Sequence, residues 1–366
     1  MFFHPFPNAF GLNIGDASIK LVQLQDASLG RKKNRYRVSV MRMADLPPGA
    51  IVKGELQKPE DVRKKIQELL IGKKGEKKIR GHWVVASLPE IKSFITLLHT
   101  PTPPDALLPD DIRSLARHHI PFEDNDYYLD WQIMPPGSVP NRTETAILVG
   151  AVPKSSADSF TYLLESLGLG VMALEIEAIA VSRAMVTAGK DYTGDARGIL
   201  DIGRTHSSFI IYDHSLIQFS TSFSFSGDGI TAIVAKNLSL SPEEAEKIKQ
   251  EQGLSYEKGS AWNALSGLVD QLTADMQKSI DFYHSHFPET NPVTRIILCG
   301  GGAYLKGLDA VLTQKLKVEA APGNPWKNGI QPPKQTPAGN DLSFATAIGA
   351  SLRAIDNPFL SSRHAI

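Results

Sequence analysis

The chain has 366 residues, of which 42% are hydrophobic, and its 39 lysines and arginines balance its 39 aspartates and glutamates. This composition is typical of a globular protein and excludes a disordered chain, and the length predicts about two or more domains. Because the formal charge is zero, no overall attraction to nucleic acid or anionic lipid is expected, and any basic patch has to be local.

The cysteine count and the hydropathy narrow the class of protein and its expected compartment. Cys299 is the single cysteine, which excludes an internal disulfide and gives no support to a zinc site. No apolar stretch reaches the roughly 18–20 residues that span a bilayer, and the first ten residues lack the pattern of a secretory signal. We therefore expect a cytoplasmic protein.

In the first half of the chain, apolar spacing predicts strands and helices in alternation. Its predicted elements are a hairpin over Phe10–Leu24, a strand Tyr36–Met43, a helix beginning near Pro59, a strand Trp83–Ser87, the strand FITLL, a helix around Asp110–His119, the strands YYLDWQI and TAILVGAV, and helices over Asp158–Gly168 and Glu175–Ala188.

The second half repeats this mixture of elements. It predicts a hairpin over Gly198–Tyr212, a helix from Ser241-Pro242, a long helix Trp262–Phe287 with one apolar face, a strand Arg295–Cys299, a helix Leu308–Lys315, a surface loop Pro322–Asn340 and a closing helix Phe344–Ile355. Ser241 is a good N-cap, Pro242 suits the first helical position, and the two glutamates that follow favour the helix dipole.

Two of these segments resemble each other. FGLNIGDASIKLVQL begins at Phe10 and GILDIGRTHSSFIIY begins at Gly198, so Asn13 matches Asp201 and Gly15 matches Gly203, about half the chain length apart. Ile-Gly between strands is common by itself, but the matching periodicity around it indicates a duplicated domain.

Three glycine-containing turns follow strands, at Gly15, Gly203 and Gly300–Gly302. Such turns expose backbone N–H groups that can bind phosphate oxygens. The known glycine-rich fingerprints do not fit, because Leu308 stands where a Walker lysine would be and no GxGxxG follows an early strand.

Two duplicated hairpin turns with a third glycine-rich turn resemble the actin-like ATPase superfamily, in which two RNase-H-like halves clamp a nucleotide. SLARHHIPFEDNDYYLDWQIM, DQLTADMQKSIDFYHSH and the tail pairing of NPW with FATAIGASLRA are similar to the PilM family of type IV pilus assembly. The resemblance runs from Phe10 to Ala354 and implies an α/β fold of two lobes around a nucleotide cleft, with a small inserted α+β subdomain.

The resemblance also implies site residues. The residues implied to bind ATP or ADP are Gly15, Asp16, Ala17, Ser18, Lys20, Gly203, Arg204, Thr205, His206, Gly227, Asp228, Gly229, Glu246, Lys249, Gly300, Gly301, Gly302, Tyr304 and Leu305. Asn13 and Asp201 would hold Mg through water, and Glu175 and Glu177 are candidates to orient an attacking water. For both glutamates the alternative is a solvated or dipole-paired carboxylate.

The chain departs from the family pattern at two phosphate-loop positions. Asn13 stands where the family usually has Asp, and Asp16 replaces a small or hydroxyl residue. A carboxylate that faces a triphosphate is unfavourable unless it turns away or meets a cation. We therefore expect nucleotide binding with hydrolysis that is weak or absent.

The implied domains are 8–90, 153–195 and 343–356 for the first lobe, 91–152 for the insertion, 196–226 and 288–342 for the second lobe, and 227–287 for a subdomain over the nucleotide. In the PilM family a groove beside the insertion binds the cytoplasmic N-terminal peptide of the inner-membrane protein PilN. The resemblance thus implies a cytoplasmic protein that its partner holds at the inner face of the inner membrane. Other pilus assembly proteins and a second copy of the chain are further implied partners, and nucleic acid is not.

Three alternatives remain. An FtsA-like filament former would share the cleft, but the tail NPFLSSRHAI is short and polar for a membrane helix. A sugar or acyl kinase of the superfamily would need a catalytic Asp beside the cleft, and a nucleotide-free scaffold of a related secretion system would leave the cleft empty.

The basic segments Arg31–Arg35 and Lys73–Arg80 predict exposed turns, with a minor lipid role as the alternative.

Overall fold

The computed structural model describes residues 5–27, 35–123, 126–135, 143–190, 192–254, 260–334, 336 and 340–356. The chain divides into two compact units, of which unit 1 comprises 1–135, 144–190 and 324–366, and unit 2 comprises 136–143 and 191–323. Residues 31–34 of the first basic segment and the tail 357–366 lie outside the described residues.

The strands are β1 Phe10–Ile14, β2 Ser18–Asp26, β3 Tyr36–Asp45, β4 Ile51–Val52, β5 Glu55–Leu56, β6 Trp83–Leu88, β7 Phe94–Thr100, β8 Tyr127–Ile133, β9 Thr145–Pro153, β10 Gly170–Ile176, β11 Ala196–Ile202, β12 Ser207–Asp213, β13 Leu216–Phe223, β14 Val293–Cys299, β15 Glu319–Pro322 and β16 Ile330–Gln331. The helices are α1 Pro59–Ile71, α2 Pro109–Arg117, α3 Lys154–Glu165, α4 Glu177–Met185, α5 Gly227–Leu238, α6 Pro242–Gln252, α7 Ser260–His286, α8 Leu308–Leu316 and α9 Ala345–Ile355.

The main sheet of unit 1 has the order β10-β6-β1-β2-β3-β16. β1 and β2 form the predicted antiparallel hairpin, while β1, β6 and β10 run parallel to one another. The carboxyl ends of these three strands therefore meet at one edge of the sheet, which is where the chain can collect polar side chains.

Helices α4 and α9 close the core of unit 1. α9 is rich in alanine, and most of its side chains are fully buried. It fits against its neighbours through glycines, because a Cβ on Gly349 would lie 1.7 Å from the carbonyl oxygen of Ala180, and a Cβ on Gly11 would lie 2.4 Å from that of Ala347. Backbones at these contacts approach more closely than any side chain would allow.

The predicted insertion has a small core of its own within unit 1. β7, β9 and β8 pair antiparallel in that order, and α2 covers them. The buried side chains of this core include Leu98, Ile112, Ala116, Ile120 and Ile147. β8 lies at the edge of its sheet.

Unit 2 is built on a second hairpin. β11 pairs antiparallel with β12 and β12 with β13, while β14 and β15 continue the sheet from β11 in parallel. The long helix α7 buries Leu265, Val269, Leu272, Met276 and Tyr283 as its apolar spacing predicts. Cys299 is a buried free thiol.

Two expectations differ from the structure. The segment predicted as one helix from Glu175 to Ala188 contains the end of β10, and α4 begins only at Glu177. β10 is a continuous half-apolar run, a pattern that periodicity alone does not separate from a helix. The segment predicted as a surface loop contains β16, whose Ile330 is buried and pairs with Tyr36 in unit 1, although the domain prediction groups residues 288–342 with the second lobe.

Among the described helices, none combines the length and the hydropathy that crossing a membrane requires.

Candidate functional site

The same backbone turn closes both hairpins. In unit 1 the N–H of Gly15 donates to the carbonyl oxygen of Ser18 at 3.1 Å, and in unit 2 the N–H of Gly203 donates to that of His206 at 2.9 Å. The two turns therefore agree in geometry as well as in sequence, as expected for a duplication.

Asn13 lies at the carboxyl end of β1 and is 5% exposed. Its Nδ2 donates to Ser87 Oγ at 2.9 Å and to Glu177 Oε1 at 2.7 Å. Both protons of the amide are thus used, so the amide points its nitrogen at the ends of β6 and β10 and keeps Oδ1 as an acceptor.

Glu177 is the first residue of α4, where the helix dipole favours a negative charge. The N–H of Glu90 donates to Glu177 Oε2 at 3.2 Å, and the N–H of Ala178 donates to Glu90 Oε2 at 3.0 Å. Burial raises the pKa of Glu177, and the hydrogen bonds from Glu90 and Asn13, with the nearby charge of Lys20, offset this only in part.

Glu175 is engaged elsewhere. The carboxylate is 2% exposed, accepts two hydrogen bonds of 2.7 Å from Arg183 and accepts a third of 2.7 Å from Arg353. Burial alone would raise the pKa of Glu175, but the two guanidinium groups hold it below its usual value. Of the two predicted glutamates, the structure brings Glu177 to Asn13 and places Glu175 in ion pairs.

The remaining side chains of the first turn are also fixed. Asp16 Oδ1 accepts from the N–H of Gly54 in the β4–β5 turn at 3.0 Å, so its carboxylate is directed toward that turn. Lys20 Nζ donates to Ser18 Oγ at 3.0 Å, and the carbonyl of Ala17 accepts from the N–H of Leu46 at 2.9 Å.

In unit 2 the glycine-rich turn after β14 lies against the end of β11. Asp201 pairs in register with Cys299, and a Cβ on Gly300 would lie 2.2 Å from Asp201 Oδ1. Gly300 also has φ of +78°, and a Cβ on Gly302 would lie 2.1 Å from Ile202. Only glycine permits this close approach.

The second turn carries the start of α5. The N–H of Gly227 donates to the carbonyl of Gly203 at 3.1 Å, and that of Asp228 to the carbonyl of Arg204 at 2.8 Å. The N–H of Gly229 donates to the N-cap hydroxyl of Ser226 at 3.2 Å, a helix start typical of serine. Arg204 and Asp228 also form an exposed ion pair of 3.0 Å.

The predicted Glu-x-x-Lys pair of α6 reaches this same place. Lys249 Nζ donates to the carbonyl of Gly227 at 3.2 Å and to Thr231 Oγ1 at 3.0 Å, and it pairs with Glu246 at 2.6 Å. Burial opposes ionisation of Glu246, but hydrogen bonds from Lys249, Thr231 and Gln250 lower its pKa overall. The pair thus joins α6 to the turn at Gly203 through α5.

The end of α6 contacts the glycine-rich turn. The N–H of Leu254 donates to the carbonyl of Lys306 at 2.7 Å, and Gly301–Tyr304 form a short 3-10 helix on which Tyr304 is exposed. Thr205 is exposed and its Oγ1 lies 3.1 Å from His206 Nδ1. The contacts of the predicted residues of unit 2 thus form two groups. One group joins the turn at Gly203 to the start of α5 and to Glu246 and Lys249, and the other joins Asp201 to the turn at Gly300.

The sequence did not single out Ser87 or Glu90 as site residues. Ser87 ends a strand that was predicted, and its place beside Asn13 depends on the parallel pairing of β1 with β6. That pairing links residues 74 positions apart, which no local pattern indicates.

Within the described ranges, no group of three or more His, Cys, Asp and Glu side chains is arranged to hold a metal ion directly.

The family of the type IV pilus assembly protein PilM matches residues 11–355 of the chain. Among solved structures, the PilM–PilN type IV pilus biogenesis complex superimposes with a TM-score of 0.78 at 23% identity, covering 96% of this chain and 100% of that chain.

More distant structures share the architecture. MreB5 of Spiroplasma citri bound to AMPPNP has a TM-score of 0.54 at 12% identity, covering 94% of this chain and 95% of that one. The ethanolamine utilization protein EutJ from Carboxydothermus hydrogenoformans has a TM-score of 0.50 at 16% identity, with 94% and 88% covered. The chain therefore has the actin-like ATPase fold, as the sequence resemblance implies.

Proposed function

The chain belongs to the family of the type IV pilus assembly protein PilM, and we propose that it binds ATP or ADP and tethers the N-terminal peptide of a PilN-like inner-membrane protein. In this proposal the protein works as a cytoplasmic scaffold at the inner face of the membrane. Its partner holds it there, and other pilus assembly proteins or a second copy add to the assembly.

The observation that supports nucleotide binding is the pair of matching hairpin turns, one in each unit, with polar side chains gathered beside each. In unit 1 these side chains are Asn13, Lys20 and Glu177, and in unit 2 they are Asp201 and Lys249. Unit 2 also has the glycine turn at Gly300 beside Asp201. Both turns begin at a glycine, which lets a phosphate approach the backbone closely. MreB5, a protein of the same fold, has been solved with AMPPNP bound.

The residues present also fit a hydrated Mg ion. Asn13 keeps its Oδ1 as an acceptor because both amide protons are donated within unit 1, and Asp201 supplies a carboxylate. Either oxygen would hold such an ion through its waters, and the bound ion would neutralise phosphate charge.

Hydrolysis is expected to be slow, because both candidate carboxylates are occupied. Glu175 faces two arginines, and both oxygens of Glu177 accept hydrogen bonds, from Asn13 and from Glu90. Any residual hydrolysis would depend on Glu177, whose raised pKa suits a base better than the lowered pKa of Glu175. Mg-dependent phosphate release well above that of Asp201→Ala would contradict slow hydrolysis.

Nucleotide content tests the binding proposal directly. Purified protein is denatured and the released nucleotide is separated by chromatography. We expect ATP or ADP from the wild type, and little from Gly203→Asp or from Lys249→Met, in which methionine keeps the apolar stem of the lysine while the ammonium is removed. Melting curves check folding. Empty wild-type protein that also fails to bind added ATP would favour the nucleotide-free scaffold instead.

The insertion offers a surface for the peptide. Tyr128 on β8 and Tyr162 on α3 are 51% and 70% exposed, and the hydroxyl of Tyr128 donates to Asp158 at 3.0 Å. Lys154 lies 5.8 Å from the centre of the Tyr128 ring. Because β8 is an edge strand, its backbone can pair with an extended peptide while these side chains contact it.

A synthetic peptide with the partner's N-terminal sequence tests this surface. We expect a Kd in the micromolar range, a loss of about tenfold or more for Tyr128→Ala, and no binding of a scrambled peptide. The titration is run with and without ATP. Absence of binding in both conditions would remove the tethering function, while full binding by Tyr128→Ala would place the peptide elsewhere.

A further inference from the structure

A cluster of cations follows α1 in unit 1, and neither the nucleotide nor the peptide proposal uses it. Residues 73–80 read KKGEKKIR, with five basic residues and one acidic residue. All of these charged side chains are exposed. We call this segment the basic loop.

The acidic residue of the basic loop is already paired. Glu76 Oε2 lies 2.9 Å from Arg42 Nε and accepts from the N–H of Lys73 at 3.1 Å. Among the described residues, no acidic side chain forms an ion pair with Lys73, Lys74, Lys78 or Arg80. On α1 itself, Glu60 pairs with Arg63 and Glu68 with Lys65, so the helix does not neutralise the loop.

Hydrogen bonds attach the basic loop to α1 and β3. Arg42 Nη2 donates to the carbonyl of Lys77 at 2.5 Å and Arg42 Nη1 donates to that of Leu69 at 2.5 Å, while the N–H of Ile79 donates to the carbonyl of Leu70 at 3.2 Å. Lys77 Nζ donates to Ser39 Oγ on β3. Arg37, also on β3, adds an exposed cation.

The position of the basic loop separates it from the phosphate turns. It precedes the amino end of β6, whereas Asn13 and the turn at Gly15 lie at the carboxyl end of the parallel strand β1. The six residues of β6, at about 3.3 Å each, put about 20 Å between these two edges of the sheet. The cations are therefore too far away to bind the phosphates of a nucleotide at the turn.

An apolar side chain stands beside the cations. Ile71, the last residue of α1, is 54% exposed, and Gly72 and Gly75 turn the chain after it with φ of +77° and +90°. An exposed aliphatic side chain among lysines can insert into the headgroup region while the lysines meet anionic charge. Nucleic acid would gain nothing from Ile71, so the combination favours a lipid surface.

We infer that Ile71 and the basic loop form a docking surface for a bilayer that contains anionic phospholipid. The contact is electrostatic and weak by itself, and it needs neither nucleotide nor the peptide partner. It would orient unit 1 on the membrane once a partner brings the protein there.

Flotation with lipid vesicles tests this surface without any partner protein. We expect the full-length protein to bind phosphatidylcholine vesicles containing phosphatidylglycerol, to bind pure phosphatidylcholine vesicles far less, and to dissociate as salt rises. The variant Lys73→Gln/Lys74→Gln/Lys78→Gln should lose about tenfold or more of the binding, and Ile71→Ser should lose a smaller part.

The matched control is Lys236→Gln/Lys247→Gln/Lys317→Gln, which removes three exposed lysines from unit 2 and should bind as the wild type does. Melting temperatures check that each variant folds. Equal loss in both triple variants, equal binding to both kinds of vesicle, or binding of duplex DNA without binding of anionic vesicles would each overturn the inference.

Discussion

At the scale of single residues, Glu175 holds three elements of unit 1 together. It lies on β10 and accepts hydrogen bonds from Arg183 on α4 and from Arg353 on α9. Arg183 also donates to the carbonyl of Gly349 at 3.1 Å. Removing the carboxylate charge would leave Arg183, which is largely buried, without its counterion.

We therefore expect Glu175→Gln to lower the free energy of unfolding by about 2–4 kcal/mol, since a buried ion pair that loses one partner leaves an uncompensated charge. Urea unfolding at pH 7 measures the change. Glu165→Gln, on the exposed side of α3, is the control and should stay within about 0.5 kcal/mol of the wild type. Equal stability of the two variants would show that the arginines do not depend on Glu175.

The same carboxylate predicts a pH dependence. The two arginines hold the pKa of Glu175 below its usual value of 4.5, so its contribution to stability is complete above about pH 4.5 and is lost as the pH falls through the lowered value. The difference in unfolding free energy between wild type and Glu175→Gln should thus be constant from pH 7 to about pH 5 and shrink below that. A difference that grew on acidification would contradict the assignment.

Replacing Gly300 should destabilise unit 2 more than an ordinary glycine substitution does. Alanine at this position has both an unfavourable positive φ and a Cβ only 2.2 Å from Asp201 Oδ1. Gly189 has a similar φ of +68° but nothing within 4 Å. We expect Gly189→Ala to cost about 1 kcal/mol and Gly300→Ala clearly more, together with loss of nucleotide binding. Calorimetry and nucleotide content measure both effects, and similar results for the two variants would mean that the contact with Asp201 is easily relieved.

At the scale of elements, local sequence signals predicted much of the fold. Both hairpins, α1 with Pro59 at its start, α6 with its serine cap, and the apolar face of α7 follow from turn chemistry and spacing. β10 did not, because GVMALEI is apolar without alternation and gains its strand character from pairing with β6. In the site, Asn13 and Glu177 were predicted separately, but their contact across 164 residues depends on tertiary pairing.

The surroundings of two helical glycines predict opposite effects of alanine substitution on stability. Gly349 lies in α9, where a Cβ would meet the carbonyl of Ala180, and Gly267 lies in α7 with nothing within 4 Å. We expect Gly267→Ala to stabilise the protein by about 0.5–1 kcal/mol through helix propensity, and Gly349→Ala to destabilise it by about 2 kcal/mol or more. Thermal unfolding measures both, and stabilisation by Gly349→Ala would contradict the close packing of α9 on α4.

At the scale of the whole molecule, each unit carries one of the duplicated turns, and the resemblance to the family predicts one nucleotide per chain. We expect titration of the emptied protein with ATP to give one site per chain, and we expect Asn13→Ala in unit 1 and Lys249→Met in unit 2 each to weaken that site by about tenfold or more. Calorimetric titration gives both numbers. A variant that kept one unaltered site while losing another would show that each unit binds nucleotide by itself.

The path of the chain through the units also bears on protein synthesis. The core of unit 1 needs α9, whose residues 345–355 are synthesised after unit 2, whereas unit 2 is almost entirely the continuous segment 191–323. Unit 2 can therefore acquire its fold while translation continues, but β1 and α4 must wait for the helix that covers them. A nascent chain would expose that apolar surface until α9 emerges, which makes the first half of unit 1 the part that most needs a chaperone.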